Sequence, residues 1–380
     1  MKIEQTRWTE AKGWFPERPG KQGLAAQLVF LFGSREILGN HKIIGDVRMA
    51  YPGAHFAGCS TGGEICGGSV SDDSLVATAV EFAHTPLQVV ATPLGNSEDS
   101  FQAGKRLAEL LGHQDLIHVL VFTEGIFLNG GNLVKGLTKH LPEGVSVTGG
   151  LAGDGTAFKE TLVLWENQAA KEAVVAVGFY GSHIKIGYGS LGGWNPFGPE
   201  RRITRSKGNV LYELDGKSAL ELYKTYLGED DAKGLPSTGV LFPLSVRSDL
   251  YDTGVVRTVW SVDEADQSMT FTGDLPDGGY ARLMKANFDR LIDGAVGAAR
   301  TSCEAVGPAS PDLAILISCV GRKMVLKQRT EEEVEGVCEV VGKGTVVTGF
   351  YSNGEISPFR PGARCDHHNQ TMTITTFREE

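Results

Sequence analysis

Hydrophobic positions fall in short runs separated by glycine-rich breaks. Residues 24–32, 115–123 and 312–319 are apolar and rich in β-branched or aromatic side chains over strand-like lengths, so each predicts a buried strand. A helical period follows in the first copy at residues 40–50, where Asn40 is placed to cap and Ile43, Ile44, Val47 and Ala50 make one apolar stripe. Its second counterpart is 132–141. A short strand then stands between glycines at one fixed offset: Gly53 and Gly58, Gly144 and Gly149, Gly344 and Gly349. Each second glycine runs into a small-residue loop, Cys59-Ser-Thr-Gly-Gly-Glu-Ile65, Gly150-Leu-Ala-Gly-Asp-Gly155 and Phe350-Tyr-Ser-Asn-Gly-Glu-Ile356. Further strands are predicted at 74–82, 160–167 and 368–377. The unit strand, helix, strand, glycine loop, strand therefore recurs three times. It predicts an α/β fold of mixed sheets with helices packed outside and a cleft where the glycine loops converge.

Residues 174–213, between the second and third copies, carry alternating Ile184, Ile186 and Tyr188 among glycines and predict antiparallel strands. A helix over 218–227 should stop at Gly228, and the polar segment 228–236 with Gly and Pro makes a linker. Two domains follow from this, 1–228 with two repeat units and the antiparallel region, and 237–380 with the third unit. Residues 255–262 and 269–273 predict a hairpin, and 280–306 a long helix with Met284, Phe288, Leu291, Ile292, Ala295 and Ala298 on one face.

Composition agrees with this division, because 380 residues exceed what one core usually supports. The 36 basic against 46 acidic side chains give a net charge of −10, which disfavours phosphate backbones and anionic lipid as partners. The beginning of the chain has no signal-peptide core and no run is apolar enough for a membrane helix, so the expected location is the cytoplasm. The 6 cysteines form no C-x-x-C and exclude a zinc ribbon, a thioredoxin-type site and covalent haem attachment.

Several motifs fail on context. Gly58-Cys-Ser-Thr-Gly62 fits a hydrolase elbow, but the glycines after it oppose the required helix; a hydrolase using Ser60 or Cys59 is the remotest alternative. Gly187-Tyr-Gly-Ser-Leu-Gly192 follows a strand, yet Pro196 and Pro199 prevent the helix a dinucleotide site needs. Cys365-Asp-His367-His368 offers adjacent residues on opposite strand faces, so one buried and one solvated histidine is expected instead of a metal cluster. His183 stands apart, because it leads into a loop with Tyr188, Trp194, Phe197, Arg201 and Arg202. An imidazole, aromatic walls and guanidinium groups are the parts that a flat apolar cofactor with carboxylates would use.

Gly58-Cys-Ser-Thr-Gly-Gly-Glu-Ile65, Gly149-Gly-Leu-Ala-Gly-Asp154, Tyr212-Glu-Leu-Asp-Gly216 with Ser218-Ala219, and His368-Asn-Gln-Thr371 together resemble the FIST sensory-domain family, from about residue 25 to 377. The run from Gly187 to Arg201 looks like the NosP-type haem proteins of that family. The resemblance implies a cytoplasmic, non-enzymatic sensor that holds a non-covalent b-type haem, binds nitric oxide, and signals through a histidine kinase or a cyclic-di-GMP enzyme. His183 is the first choice for the iron ligand and His368 the alternative. The rival within the same class is a haem-free sensor for a small metabolite such as an amino acid, with Ser60, Thr61 and Ser352 holding polar ligand groups. Homodimerisation is left open.

Overall fold

The computed structural model describes residues 1–95, 99–165, 168–248 and 251–380. Its core is the repeat read from the sequence, built three times, each time with a lead strand and a two-stranded hairpin added to the three expected strands. Each unit has a lead strand (Lys2–Thr9, Leu87–Pro93, Ile184–Leu191) and a first core strand (Leu28–Gly33, Leu116–Thr123, Leu313–Cys319). A helix (His41–Ala50, Gly130–His140, Thr330–Val341) crosses to a second core strand (His55–Ser60, Ser146–Leu151, Val346–Ser352). A short hairpin and a return strand (Ser74–Glu81, Ala173–Tyr180, Met372–Glu379) complete the unit. In every sheet the two core strands run parallel and the return strand lies antiparallel between the first core strand and the lead strand.

The hairpins leave home. The first unit's Glu64–Cys66 and Ser69–Ser71 complete the third sheet, the second unit's Val163–Trp165 and Gln168–Ala170 complete the first, and the third unit's Gly354–Pro358 and Cys365–His368 complete the second. The cyclic exchange makes the three sheets one body around a shared core. Phe32, Phe122 and Phe350, one from each unit, meet there with ring centroids 4.8 to 6.1 Å apart.

The fixed glycines have a common cause. Gly58, Gly149 and Gly349 pair with Leu31, Val121 and Leu316, and at each a Cβ would overlap the carbonyl oxygen of that partner. The crowding leaves no room for a side chain. Gly187 and Gly189 serve packing in the same way. Added side chains would meet the Ser302 and Ala298 carbonyls, so these glycines seat the helix Phe288–Val306 on the third lead strand.

Some expectations need correcting. Of the segment 160–167, Val163–Trp165 is a hairpin strand in the first sheet, 166–167 lie outside the described residues, and the second return strand is Ala173–Tyr180. The long helix begins only at Phe288, after the cap Asn287. Residues Tyr280–Lys285 form a strand because Ala281 and Leu283 alternate inward at period two. The third sheet joins Ile184–Leu191 to Met372–Glu379, and the segment 228–236 lies inside the region inserted between Leu191 and Phe288. That insertion is an antiparallel sheet with its own core, which includes Ile203, Leu211, Val246, Phe271 and Leu283.

Candidate functional site

The inserted sheet docks on the end of the third unit's hairpin, and His367, Asn369 and Gln370 make the seam. Arg257 donates to the His367 carbonyl at 3.0 Å, and Thr272 donates to Asn369 Oδ1 at 2.7 Å. Gln370 donates through Nε2 to the Val240 carbonyl and to Thr258 Oγ1, while its main-chain carbonyl accepts from the Trp194 indole at 3.0 Å. His368 Nε2 donates to the Ser357 carbonyl at 2.7 Å, and burial pushes this imidazole's pKa down to about 4. Both histidines of the Cys365–His368 strand are thus buried, contrary to the expected one in and one out, because the start of the helix Gly130–His140 lies against His367 on one face and the Phe359 ring against His368 on the other.

A cleft of about 360 Å³ opens along this seam, a size within the roughly 300–1,000 Å³ common for small-molecule pockets. The inserted sheet supplies Thr258, Val259, Trp260 and Thr272. The core supplies Val320, Gly321 and Met324 from the start of the third unit's helices, Asn353 from its glycine loop, and Asn369 and Gln370. An adjoining cavity of about 340 Å³ shares Trp260, Thr272 and Asn353 and continues to Phe127 and His367.

Two carboxylates shape the walls. Asp154 accepts the backbone N–H groups of Phe158, Lys159 and Glu160 at 3.0, 2.7 and 3.0 Å, which holds Phe158 at φ +49°. That left-handed backbone is costly for an aromatic residue. It places the Phe158 ring edge-on to Trp260, with centroids 5.4 Å apart. Glu124 accepts from the N–H groups of Ile126 and Phe127 at 2.9 Å each and fixes the loop along the second cavity.

Three amide atoms in the cleft's wall residues are buried without a partner: Asn353 Oδ1, Asn369 Nδ2 and Gln370 Oε1. Unsatisfied buried groups are rare in folded proteins and call for an occupant or another specific cause.

The predicted site residues divide differently. The three glycine loops do converge, with Gly153 N–H donating to Ser60 O, Gly62 N–H to Tyr351 O and Asn353 N–H to Leu151 O. Ser60, Thr61 and Ser352 pin these loops from inside. Ser60 Oγ donates to the Gly153 carbonyl at 2.7 Å and accepts from Leu162 N–H at 2.9 Å. Thr61 donates to Glu64, and Ser352 donates to Glu355 at 2.6 Å. All three are buried, and both hydrogen-bonding ends of Ser60 are used. Cys59 is buried too, and burial raises its thiol well above the ordinary range, so neither residue stands as an exposed nucleophile.

The haem set is dispersed. His183 lies exposed in the turn between the second return strand and the third lead strand, its ring 5.2 Å from that of His84. Tyr188 stacks toward His118 and Trp194 is buried against the seam. Arg201 is bound to Asp215 at 2.8 Å and to Tyr226, and Arg202 is exposed. Phe197 and Arg201 share a crevice of only about 20 Å³, room for roughly one water. Repeat spacing could have pointed to Asn353, because it fills the loop position occupied by Gly62 and Gly153 in the other copies. Asn369 and Gln370 stood in the His368-Asn-Gln-Thr371 motif without being assigned to a site, and Phe158 and Trp260 gave no signal.

Three exchanged sheets with an inserted sheet over one end define an α/β protein of internally repeated construction. Residues 27–217 match the FIST N domain and residues 219–358 the FIST C domain, and the chain belongs to the FIST family, whose domains are sensory parts of signalling proteins. An uncharacterized protein of Methanocaldococcus jannaschii is 22% identical over 82% of this chain, which spans 63% of that protein's length. Among solved structures, a cyanuric acid hydrolase from A. caulinodans aligns over 100% of this chain and 98% of its own, at 10% identity and a TM-score of 0.36. Another cyanuric acid hydrolase aligns at 10% identity and a TM-score of 0.32, over 100% and 99% of the two chains. No helix among the described residues is long and apolar enough to cross a membrane.

Proposed function

We propose that the chain is a sensory module that binds a small molecule in the cleft between its repeated core and its inserted sheet. One observation carries this reading: Asn353 Oδ1, Asn369 Nδ2 and Gln370 Oε1 are buried and unpartnered in residues that wall the same cavity. Asn369 and Gln370 also hold the inserted sheet to the core. A ligand seated in the cleft beside them shifts the balance of that docking, and a partner can read the change. A histidine kinase or a cyclic-di-GMP enzyme as that partner, and the cytoplasm as its place, belong to the reading because the family resemblance implies them.

The residues suggested for a b-type haem do not fit it. The His183 imidazole is separated from the aromatic and guanidinium groups that would wall the ring, and those groups are engaged elsewhere. His368 commits Nε2 to Ser357, and its unpartnered Nδ1 belongs to a ring that packs 4.1 Å from that of Phe359 and lines neither of the joined cavities.

The test is a thermal-shift screen of metabolites on the full chain and on Trp260→Ala. A stabilising compound should lose its effect in the variant. Stabilisation that persists undiminished in Trp260→Ala places the ligand elsewhere and defeats the cleft. An intense haem absorbance band in protein from iron-replete cells, removed by His183→Ala, would restore the nitric-oxide reading in its place.

A further inference from the structure

We propose that the outer edge of the strand Leu87–Pro93 is a docking site for an extended, uncharged peptide segment of a partner protein, taken up as an added strand.

Hydrogen-bond parity shows that this edge is open. Leu87–Pro93 is the last strand of the second sheet, and its inner edge is paired with Ala173–Tyr180. At the two ends of that pairing, Leu94 N–H donates to the Glu172 carbonyl at 2.7 Å and Tyr180 N–H to the Pro86 carbonyl at 3.1 Å. Alternation between these points bonds Gln88, Val90 and Thr92 inward and turns the N–H and C=O groups of Leu87, Val89 and Ala91 outward. None of these outward groups has a partner among the described residues. Every residue from Leu87 to Ala91 is partly exposed, although successive side chains point to opposite faces. Solvent therefore reaches the strand along its edge.

The matching edges of the other two units are engaged. Gly13–Phe15 pairs with the first lead strand, and on the third Ser190 N–H donates to the Phe359 carbonyl at 3.4 Å. Bare edges in soluble proteins are ordinarily blunted by charge, a bulge or a covering segment. Residues 86–95 carry no charged side chain. An uncovered and uncharged edge is a template for another strand.

A groove lies where that strand would run. A cavity of about 520 Å³ borders Val89, Val90 and Ala91, and its far side is made by Phe56 and Trp165 of the first sheet. Leu110, 50% exposed, adds apolar surface. No Asp, Glu, Lys or Arg is among the described lining residues.

The far side selects the occupant. The edge strand of a second copy arrives embedded in its own sheet, and Phe56 and Trp165 stand where that sheet would have to pass. A single extended segment needs only the strand spacing of about 4.8 Å, and about five residues span the open edge at roughly 3.4 Å each. Main-chain hydrogen bonds hold such a segment and the walls choose its side chains. Apolar, uncharged walls favour small and β-branched residues and disfavour ionised ones, which would lose water without a counter-charge.

The probe is a fluorescein-labelled Ala-Val-Val-Ala-Val amide, the sequence of residues 173–177 that pairs with the strand's inner edge. Binding to the full chain is read by fluorescence anisotropy. Two controls carry N-methyl groups on one or the other alternate set of amides, and a third has glutamate at its centre. Val89→Pro removes an outward N–H without costing a bond to Ala173–Tyr180. Saturable binding is expected, at least tenfold weaker for the glutamate peptide and for Val89→Pro. It should be lost with one methylated set and kept with the other, because only alternate amides of an added strand face its neighbour. The methylated pair needs no variant, so the outcome does not depend on whether Val89→Pro folds. Equal binding of the parent and both methylated peptides overturns strand addition, as does the absence of saturable binding at about 1 mM peptide. A dimer in sedimentation velocity that disappears in Val89→Pro assigns the edge to a second copy and overturns the peptide as occupant. The groove shares no lining residue with the cleft at the seam, so the two sites stand or fall separately.

Discussion

The Arg322 guanidinium and the Glu333 carboxylate form an ion pair at 2.6 Å with neither side chain exposed to solvent. Glu333 also accepts from Ser318 and Tyr351 through its other oxygen. Arg322 donates onward to the carbonyls of Gly192 and Leu291. Those two carbonyls flank the points where the inserted sheet leaves the core and returns to it. The pair therefore lies beneath the attachment of the inserted sheet, on the short helix Val320–Leu326 whose first turn lines the cleft.

Removing one member strands a buried charge. Arg322→Ala should lower unfolding stability by roughly 3–5 kcal/mol, measured by urea denaturation. A loss below about 1 kcal/mol would show that Glu333 finds another partner at little cost.

The repeat glycines should separate by local space. Gly349→Ala forces a methyl against the Leu316 carbonyl, whereas a methyl at Gly344 meets nothing within 4 Å. Gly349→Ala should cost at least about 3 kcal/mol, and Gly344→Ala should stay within about 0.5 kcal/mol of the parent. Equal midpoints in denaturant would refute the crowding argument.

Burial pushes the Glu355 carboxyl up to about 8, despite hydrogen bonds from Ser352 and Thr371. The folded state therefore holds this proton more tightly than the unfolded chain. Its stabilising contribution is full below about pH 4.5, the ordinary carboxylate value, and is lost as pH rises through about 8. Glu355→Gln mimics the protonated form and should flatten the decline in stability across that window. Unchanged pH dependence in thermal melts from pH 5 to 8.5 would show that Glu355 ionises without penalty. The lowered imidazole of His368, at about 4, acts in the opposite sense, with stability falling as pH drops below about 6.5.

Asp154 supports the cleft indirectly, by holding three N–H groups of the loop that carries Phe158. In Asp154→Ala the strained backbone at Phe158 should relax and move the aromatic wall. Affinity for a cleft ligand should fall by about tenfold, the equivalent of roughly 1.4 kcal/mol, with the denaturation midpoint shifted far less than in Arg322→Ala. Unaltered affinity in calorimetry would remove Phe158 from the site.

Most of the repeat was legible because its signals are local. Apolar runs mark the first core strands, Asn40 caps the helix His41–Ala50, and glycines stand wherever two core strands crowd. The second return strand was misplaced because Val163–Trp165 and Ala173–Tyr180 have the same apolar character; only pairing tells a visiting hairpin strand from a resident one. The glycine-aromatic stretch around Tyr188 and Trp194 looked like a cofactor loop for a similar reason. Glycines that admit a helix and glycines that admit a ligand are identical in sequence.

What the chain determines by itself is the unit: its strand, helix, strand, glycine loop and strand, in order, three times. Tertiary structure alone decided which sheet each hairpin joins, and hence that Asn353 from one loop, Asn369 and Gln370 from a strand end, and Trp260 from an inserted sheet share one cleft. Local propensity and periodicity act within a few residues of the chain. The meeting of distant polar groups depends on how buried surfaces pair, which no local pattern records.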